Sequence, residues 1–231
     1  MAILEAKEII KRYGGTVALN GVSINAEPGK ITGILGPNGS GKTTFIKIAA
    51  GLLAANAGEC FIDGVAPGKY TKSIVAYLPD RNYLPDWMNV RRLLDYFVDF
   101  YKDFNREKAE KMIAELGIDF EQKVKQMSKG TREKLQLIMV MSREAKLYLL
   151  DEPLSGVDPA TRDYILNTII ANYNPEAAVV ISTHLISDIE KILDDVVFLN
   201  KGEVVLSSSV DSIREEKGQS VDEYFREAFR I

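Results

Sequence analysis

A single cysteine, a single histidine and a single tryptophan occur in the 231 residues. With Cys60 alone, no internal disulfide can form and no cysteine metal cluster can be built, which suits a reducing compartment. Positive charge is not in excess either. Lys and Arg number 29 against 33 Asp and Glu, a formal net charge of −4. No global basic field exists to attract nucleic acid, and none is expected as a partner. Long hydrophobic runs are missing: none approaches the roughly 18 apolar residues of a membrane span. The opening stretch MAILEAKEIIKRYGG spreads charges among its apolar positions and lacks the apolar centre of a secretory signal. The expectation is a soluble chain whose membrane role, if any, comes through a partner.

What is present suits one large α/β domain, 1–231, with an inserted lobe. Turn signals at Tyr13-Gly14-Gly15, Asn20-Gly21 and Pro28-Gly29 divide the first segment into short antiparallel strands. ITGIL at 31–35 and SIVAYL at 73–78 read as strands, and TTFIKIAAGLL between them reads as a helix. From 86 to 143 apolar residues recur at helical spacing, as in VRRLLDYFVDFY and AEKMIAEL, without a strong strand signal. That stretch is expected to be an inserted helical lobe. KLYLLDE and AAVVIST then read as buried strands around the helical TRDYILNTII, and VVFLNKGEVVLS as a hairpin turning at Asn200-Lys201-Gly202. Strands alternating with helices favour a mostly parallel sheet. Residues 209–231 are expected to be a short C-terminal tail.

The strongest motif is Gly36-Pro37-Asn38-Gly39-Ser40-Gly41-Lys42-Thr43-Thr44, between a strand and a helix. It fits the phosphate-loop pattern and predicts binding of ATP with Mg²⁺. Glycines let the backbone curl so that successive N–H groups point at an anion, and the following helix adds the positive end of its dipole. Lys42 is expected to reach the β- and γ-phosphates, and the Thr43 hydroxyl to ligate magnesium. A second element should complete the metal site. The apolar run ending in Asp151 and Glu152 places two carboxylates at a strand's carboxyl end, where ligands gather in parallel sheets. Asp151 is expected at the metal, while Glu152 points elsewhere and serves as general base for an attacking water. Read alone, the pair could also be a solvated acidic turn before Pro153.

Three further segments follow in order: Gln126-Met127-Ser128-Lys129-Gly130, Leu154-Ser155-Gly156-Val157-Asp158, and His184 after AAVVIST. In this order and spacing, from about residue 3 to about 208, the sequence resembles the ATP-binding-cassette (ABC) ATPases, specifically the nucleotide-binding subunits of ABC transporters. The resemblance implies a phosphate-loop NTPase core with an N-terminal antiparallel β subdomain and an inserted helical lobe. It implies that Tyr13 stacks on adenine, although Tyr13 read alone is a turn-flanking residue. By the same resemblance Ser128 and Gly130 form a signature that contacts the γ-phosphate held by an opposite subunit. Asp158 matches a dimer-interface aspartate, and His184 a γ-phosphate-sensing histidine that helps hold the water. The implied partners are a second ABC subunit, identical or different, and an integral membrane permease. The implied location is the inner face of the cell membrane, reached through the permease.

Two positions depart from the family pattern. Lys129 stands where the signature usually has its first glycine. This S-K-G form is similar to that of single-cassette bacterial exporter subunits, which implies export. Lys129 is expected either to add charge beside the opposite nucleotide or to point into solvent. Asp80 stands where glutamine usually touches magnesium or its water, and is expected to hold the metal through a water or to leave its shell. Tyr83 and Trp87 are expected either in a groove that docks the membrane subunit or in the core of the helical lobe. The alternative function is a soluble ABC ATPase serving a cytosolic assembly or repair process. A non-catalytic nucleotide clamp is disfavoured by Glu152 and His184.

Overall fold

A computed structural model describes residues 1–229. Two sheets form its frame. The first is antiparallel, with strands β1 (Leu4–Tyr13), β2 (Thr16–Ala26) and β4 (Ala57–Ile62) in the order β2-β1-β4. The second contains β3 (Ile31–Leu35), β5 (Val75–Leu78), β6 (Leu147–Asp151), β7 (Ala178–Thr183), β8 (Asp195–Asn200) and β9 (Glu203–Ser209), in the order β5-β6-β7-β3-β8-β9. All neighbours in it pair in parallel except β8 and β9, whose antiparallel hairpin turns at Lys201-Gly202. The fold is α/β with a mostly parallel sheet and an N-terminal antiparallel sheet.

The parallel strands are apolar without interruption because both of their faces are covered. Successive residues point to opposite faces, so one strand feeds two cores. Tyr148, Leu150, Val179, Ile181, Val196 and Phe198 pack on one face. Leu147, Leu149, Ala178, Val180, Val197 and Leu199 pack on the other. The second face is closed by helix α1 (Lys42–Ala49) and the antiparallel sheet, through Phe45, Ile46, Leu4 and Leu19. The first face is closed by α6 (Pro159–Asn172), through Ile165, Leu166 and Ile169.

Within 86–143 lie α3 (Val90–Phe100), α4 (Arg106–Glu115) and α5 (Lys129–Met141), around a third core. Helix α5 belongs to two cores. Its Leu135, Ile138 and Met139 face the lobe, whereas Leu137, Val140 and Met141 pack on the parallel sheet. Beyond β9, residues 209–231 were expected as a tail. Their described part forms two helices, Val210–Lys217 and Val221–Phe229, with Val210, Ile213, Val221 and Phe225 buried in the first core.

Two local expectations are corrected. Asn20-Gly21 is not a turn between short strands but lies inside the eleven-residue β2. Gly21 has φ 74°, beside a shift of register between Ile9 and Ile10 of β1, so the pair forms a bulge. The strand expected over 73–78 begins at Val75, because Ser73 and Ile74 finish helix α2 (Lys69–Ile74).

Candidate nucleotide site

Four neighbouring parallel strands, β5, β6, β7 and β3, end on the same side of the sheet and deliver Asp80, the Asp151–Glu152 pair, His184 and the glycine-rich loop. This is where open parallel sheets bind ligands. The loop runs from β3 into α1. Gly41 caps the helix with φ 111°, a left-handed conformation that disfavours any side chain. A Cβ on Gly36 would lie 2.2 Å from the Leu199 carbonyl, and one on Gly41 2.6 Å from the Ala18 carbonyl. The Gly202 N–H donates to the Ser40 carbonyl at 2.9 Å. The β8–β9 hairpin and β2 therefore brace the loop from below, and glycine is needed where they touch it.

The loop faces an open cavity of about 460 Å³, whose lining includes Asn38, Gly39, Ser40, Gly41, Lys42, Thr43 and Thr44, with Ala18, Asp80, Glu152, Ser155 and His184 opposite. The Lys42 ammonium is nearly buried. It donates to the carbonyls of Gly36 (2.8 Å) and Pro37 (3.2 Å) and pairs with Glu152 Oε1 at 3.2 Å. Glu152 Oε2 lies 2.8 Å from His184 Nδ1. Lysine, glutamate and histidine thus form one chain of contacts along the cavity wall. Glu152 is not on the strand; its φ of 50° turns its carboxylate from the Asp151 direction into the cavity. Its N–H donates to Ser182, to the carbonyl at 2.9 Å and to Oγ at 3.2 Å, which holds that turn.

Asp151 is fully buried at the end of β6. Its Oδ1 accepts from Thr43 Oγ1 at 3.0 Å and from Ser182 Oγ at 2.5 Å. Its Oδ2 has no hydrogen-bond partner. Burial pushes the Asp151 carboxyl above the usual range, the two hydroxyls pull it back, and the charges of Asp80 and Glu152 push it further up. A buried carboxylate oxygen without a partner, next to a threonine hydroxyl, fits an oxygen-seeking dication such as Mg²⁺. No group of three or more His, Cys, Asp and Glu side chains able to hold a metal exists among the described residues. Magnesium here would draw its other ligands from phosphate and water, as this ion commonly does.

The remaining expected residues lie elsewhere. Tyr13 ends β1, 49% exposed, with Lys11 Nζ 5.4 Å from its ring centre, and it does not line the cavity. Ser128 caps α5, accepting from the Thr131 N–H at 3.1 Å. The Lys129 side chain is 69% exposed, and its ammonium donates to the Gly156 carbonyl of its own chain at 2.8 Å. Gly130 approaches α6 so closely that a Cβ would meet Thr161 Oγ1 at 3.3 Å and Asp158 Oδ2 at 3.7 Å. Asp158 caps α6 through Thr161, and those hydrogen bonds hold its carboxyl below the usual range. Tyr83 lines a largely apolar groove with Leu52, Tyr77, Phe97, Tyr101 and Arg143. Trp87 is 62% exposed, and the lobe core next to these two residues is filled instead by Leu84 and Met88.

Ser182, Ser155 and Ala18 escaped the sequence reading. Ser182 sits in an apolar strand, and only the pairing of β6 with β7 puts it opposite Asp151. The polar pair Ser182-Thr183 closing the buried run AAVVI was the one available signal.

Known proteins resemble this chain in sequence and in fold. A family model described as ABC transporter matches residues 19–155, more than half of the chain. The chain is 29% identical over 217 residues to the ABC transporter ATP-binding protein YtrB of Bacillus subtilis (strain 168), covering 93% of this chain and 74% of YtrB. It is 32% identical over 212 residues to the uncharacterized ABC transporter ATP-binding protein YdbJ of the same organism, covering 87% and 68%. Among solved structures, an ATP-binding subunit of an ABC transporter superposes with a TM-score of 0.89 at 25% identity, covering 98% of this chain and 99% of that one.

Proposed function

The chain belongs to the ABC transporter family as an ATP-binding subunit, and on that premise we propose that it hydrolyses ATP in a two-site dimer that powers a separate membrane permease, in the direction of export. The observation that carries this reading is the contact chain Lys42–Glu152–His184 running beside Thr43–Asp151–Ser182. One set of groups suits phosphate charge, the other a metal, and a carboxylate lies between them.

Adenine rests on the exposed Tyr13 ring, whose flat face suits a heterocycle. The phosphates lie along Gly36, Pro37, Asn38, Gly39, Ser40, Gly41 and Thr44, at the positive end of α1. Lys42 turns from Glu152 to the β- and γ-phosphates, which leaves the Glu152 carboxylate free to accept a proton. Thr43 and Asp151 would hold Mg²⁺, with Asp80 near its water shell, and the ion would supply positive charge to offset the negative charge that develops during transfer. Glu152 takes a proton from water as the water oxygen attacks the γ-phosphorus and the bond to the bridging oxygen breaks, giving ADP and phosphate. His184 steadies Glu152 and the water through its ring nitrogens.

Ser128 and Gly130 do not line the phosphate cavity of their own chain, so their role requires a second subunit, of the same or another chain, presenting them to the γ-phosphate with Asp158 at the interface. Isologous pairing completes both sites at once. The groove around Tyr83 and Leu52 offers the permease an apolar seat between lobe and sheet. No described helix is long and apolar enough to cross a membrane. The permease would hold the chain at the cytoplasmic face, and export rests on the S-K-G form of the signature.

Two experiments test these points. For a self-pairing chain, ATP hydrolysis per subunit rises with protein concentration before levelling; a rate per subunit that is flat from the most dilute sample upward would exclude self-pairing as a requirement. For Asp80, whose charge acts on Asp151, the Asp80→Ala variant is expected to raise the magnesium concentration for half-maximal hydrolysis by about tenfold, as outer-shell changes commonly do. An unaltered magnesium dependence removes Asp80 from the metal site.

A further inference from the structure

The loop that follows Glu152 is gripped from the start of helix α5. Ser155 donates its N–H to the Glu152 carbonyl at 3.1 Å, making a tight turn, and also lines the phosphate cavity. Gly156 comes next with φ 71°, and its carbonyl accepts from Lys129 Nζ at 2.8 Å. A Cβ on Gly156 would sit 2.6 Å from that ammonium. One helical turn along α5, Glu133 Oε1 lies 3.7 Å from the same ammonium and steadies it in this direction. At the far end of the loop, Gly130 packs against the Asp158–Thr161 cap of α6. Two successive residues of the signature therefore touch the segment that separates Glu152 from α6, one at Gly156 and one at its α6 end.

We infer that Lys129 is a positioning residue: by holding the Gly156 carbonyl it fixes the loop after Glu152, and so ties the signature of each subunit to the hydrolytic carboxylate of that same subunit. The inference rests on the hydrolytic role proposed for Glu152, and it gives the lysine a task within its own chain instead of at the opposite nucleotide. A glycine at position 129 has no side chain to make this link. Movement of α5 towards a second subunit's nucleotide would be passed to the Glu152 loop through one hydrogen bond and one glycine contact. A misplaced general base loses rate steeply with small displacements, so the link acts on turnover and not on nucleotide affinity.

The test compares wild type, Lys129→Met and Lys129→Arg as full chains, by hydrogen exchange of the 153–158 segment and by steady-state ATP hydrolysis. Lys129→Met should exchange faster in that segment than wild type and lose about threefold in kcat, the low end of the worth of one hydrogen bond because this one is exposed, with KM for ATP unchanged. Lys129→Arg keeps a donor within reach of the carbonyl and should recover most of both. Unchanged exchange at 153–158 in Lys129→Met overturns the inference, as does a raised KM with unchanged kcat, which would instead mark a charge acting on nucleotide. Hydrogen exchange needs no turnover. A wild type that fails to hydrolyse ATP would therefore overturn the hydrolytic reading, while the exchange comparison would still decide whether Lys129 holds the loop.

Discussion

Glu152→Gln is expected to lower ATP hydrolysis by about 10²–10⁴-fold while the chain continues to bind ATP. Glutamine keeps the size and planarity of glutamate and can still hydrogen-bond to His184 Nδ1, now 2.8 Å from Glu152 Oε2. It cannot accept a proton from water at neutral pH. The substitution also removes the 3.2 Å ion pair with Lys42. Lys42 then no longer has to leave a carboxylate to reach phosphate, so ATP affinity should hold or rise. The turn at position 152, with φ 50°, is supported by the N–H bonds to Ser182, which the substitution leaves in place. Turnover measured beside equilibrium binding of a fluorescent ATP analogue separates the two effects. The same variant should accumulate as an ATP-bound dimer on size-exclusion chromatography, because the γ-phosphate contacts persist. Hydrolysis within a few-fold of wild type would remove Glu152 as the base.

Arg143→Met should cost about 3–5 kcal/mol of stability, a large part of the ~5–15 kcal/mol typical of a folded domain. Arg143 follows α5 and is nearly buried. Its guanidinium donates to both carboxylate oxygens of Asp103 at 2.9–3.2 Å, to the Val75 carbonyl at 2.6 Å and to the Ser73 carbonyl at 2.9 Å. It also lies 4.0 Å from the Tyr101 ring centre. Asp103 and Tyr101 belong to the helical lobe, whereas Val75 begins β5, so one side chain pins lobe to sheet. Methionine fills part of the volume but leaves Asp103 unpaired and the Val75 carbonyl without that donor. A chain of this size should then melt about 10 °C lower. Lysine carries the charge but not the planar fork of donors, and should recover only part of the loss. A loss below about 1 kcal/mol for Arg143→Met would mean that the lobe is held by apolar packing alone. Since the pin sits between β5, which leads to Asp80, and the helix that begins after Ser128, Arg143→Met should also blur any coupling between these two parts of the site.

By itself the sequence determined what is local. The phosphate loop could be read because nine consecutive residues carry its chemistry and glycine at 36, 39 and 41 answers a backbone demand that acts within the loop and its immediate support. The strand bearing Asp151, the β8–β9 hairpin and the helical spacing of 86–143 could be read for the same reason: a period of two or 3.6, or a turn, is written in neighbouring residues. Asn20-Gly21 misled because the same dipeptide serves a turn and a bulge, and only the partner strand decides which. The tertiary structure alone decided which distant residues meet. Ser182 reaches Asp151 because β6 pairs with β7; Lys42 meets Glu152 because β3 and β6 flank β7; Arg143 finds Val75 and Asp103 because α5 closes two cores; and Lys129 finds Gly156 because α5 starts beside the cap of α6. These contacts follow from the order of strands in the sheet and the packing of helices upon it, both of which are set by burial summed over the whole chain and not by any short segment.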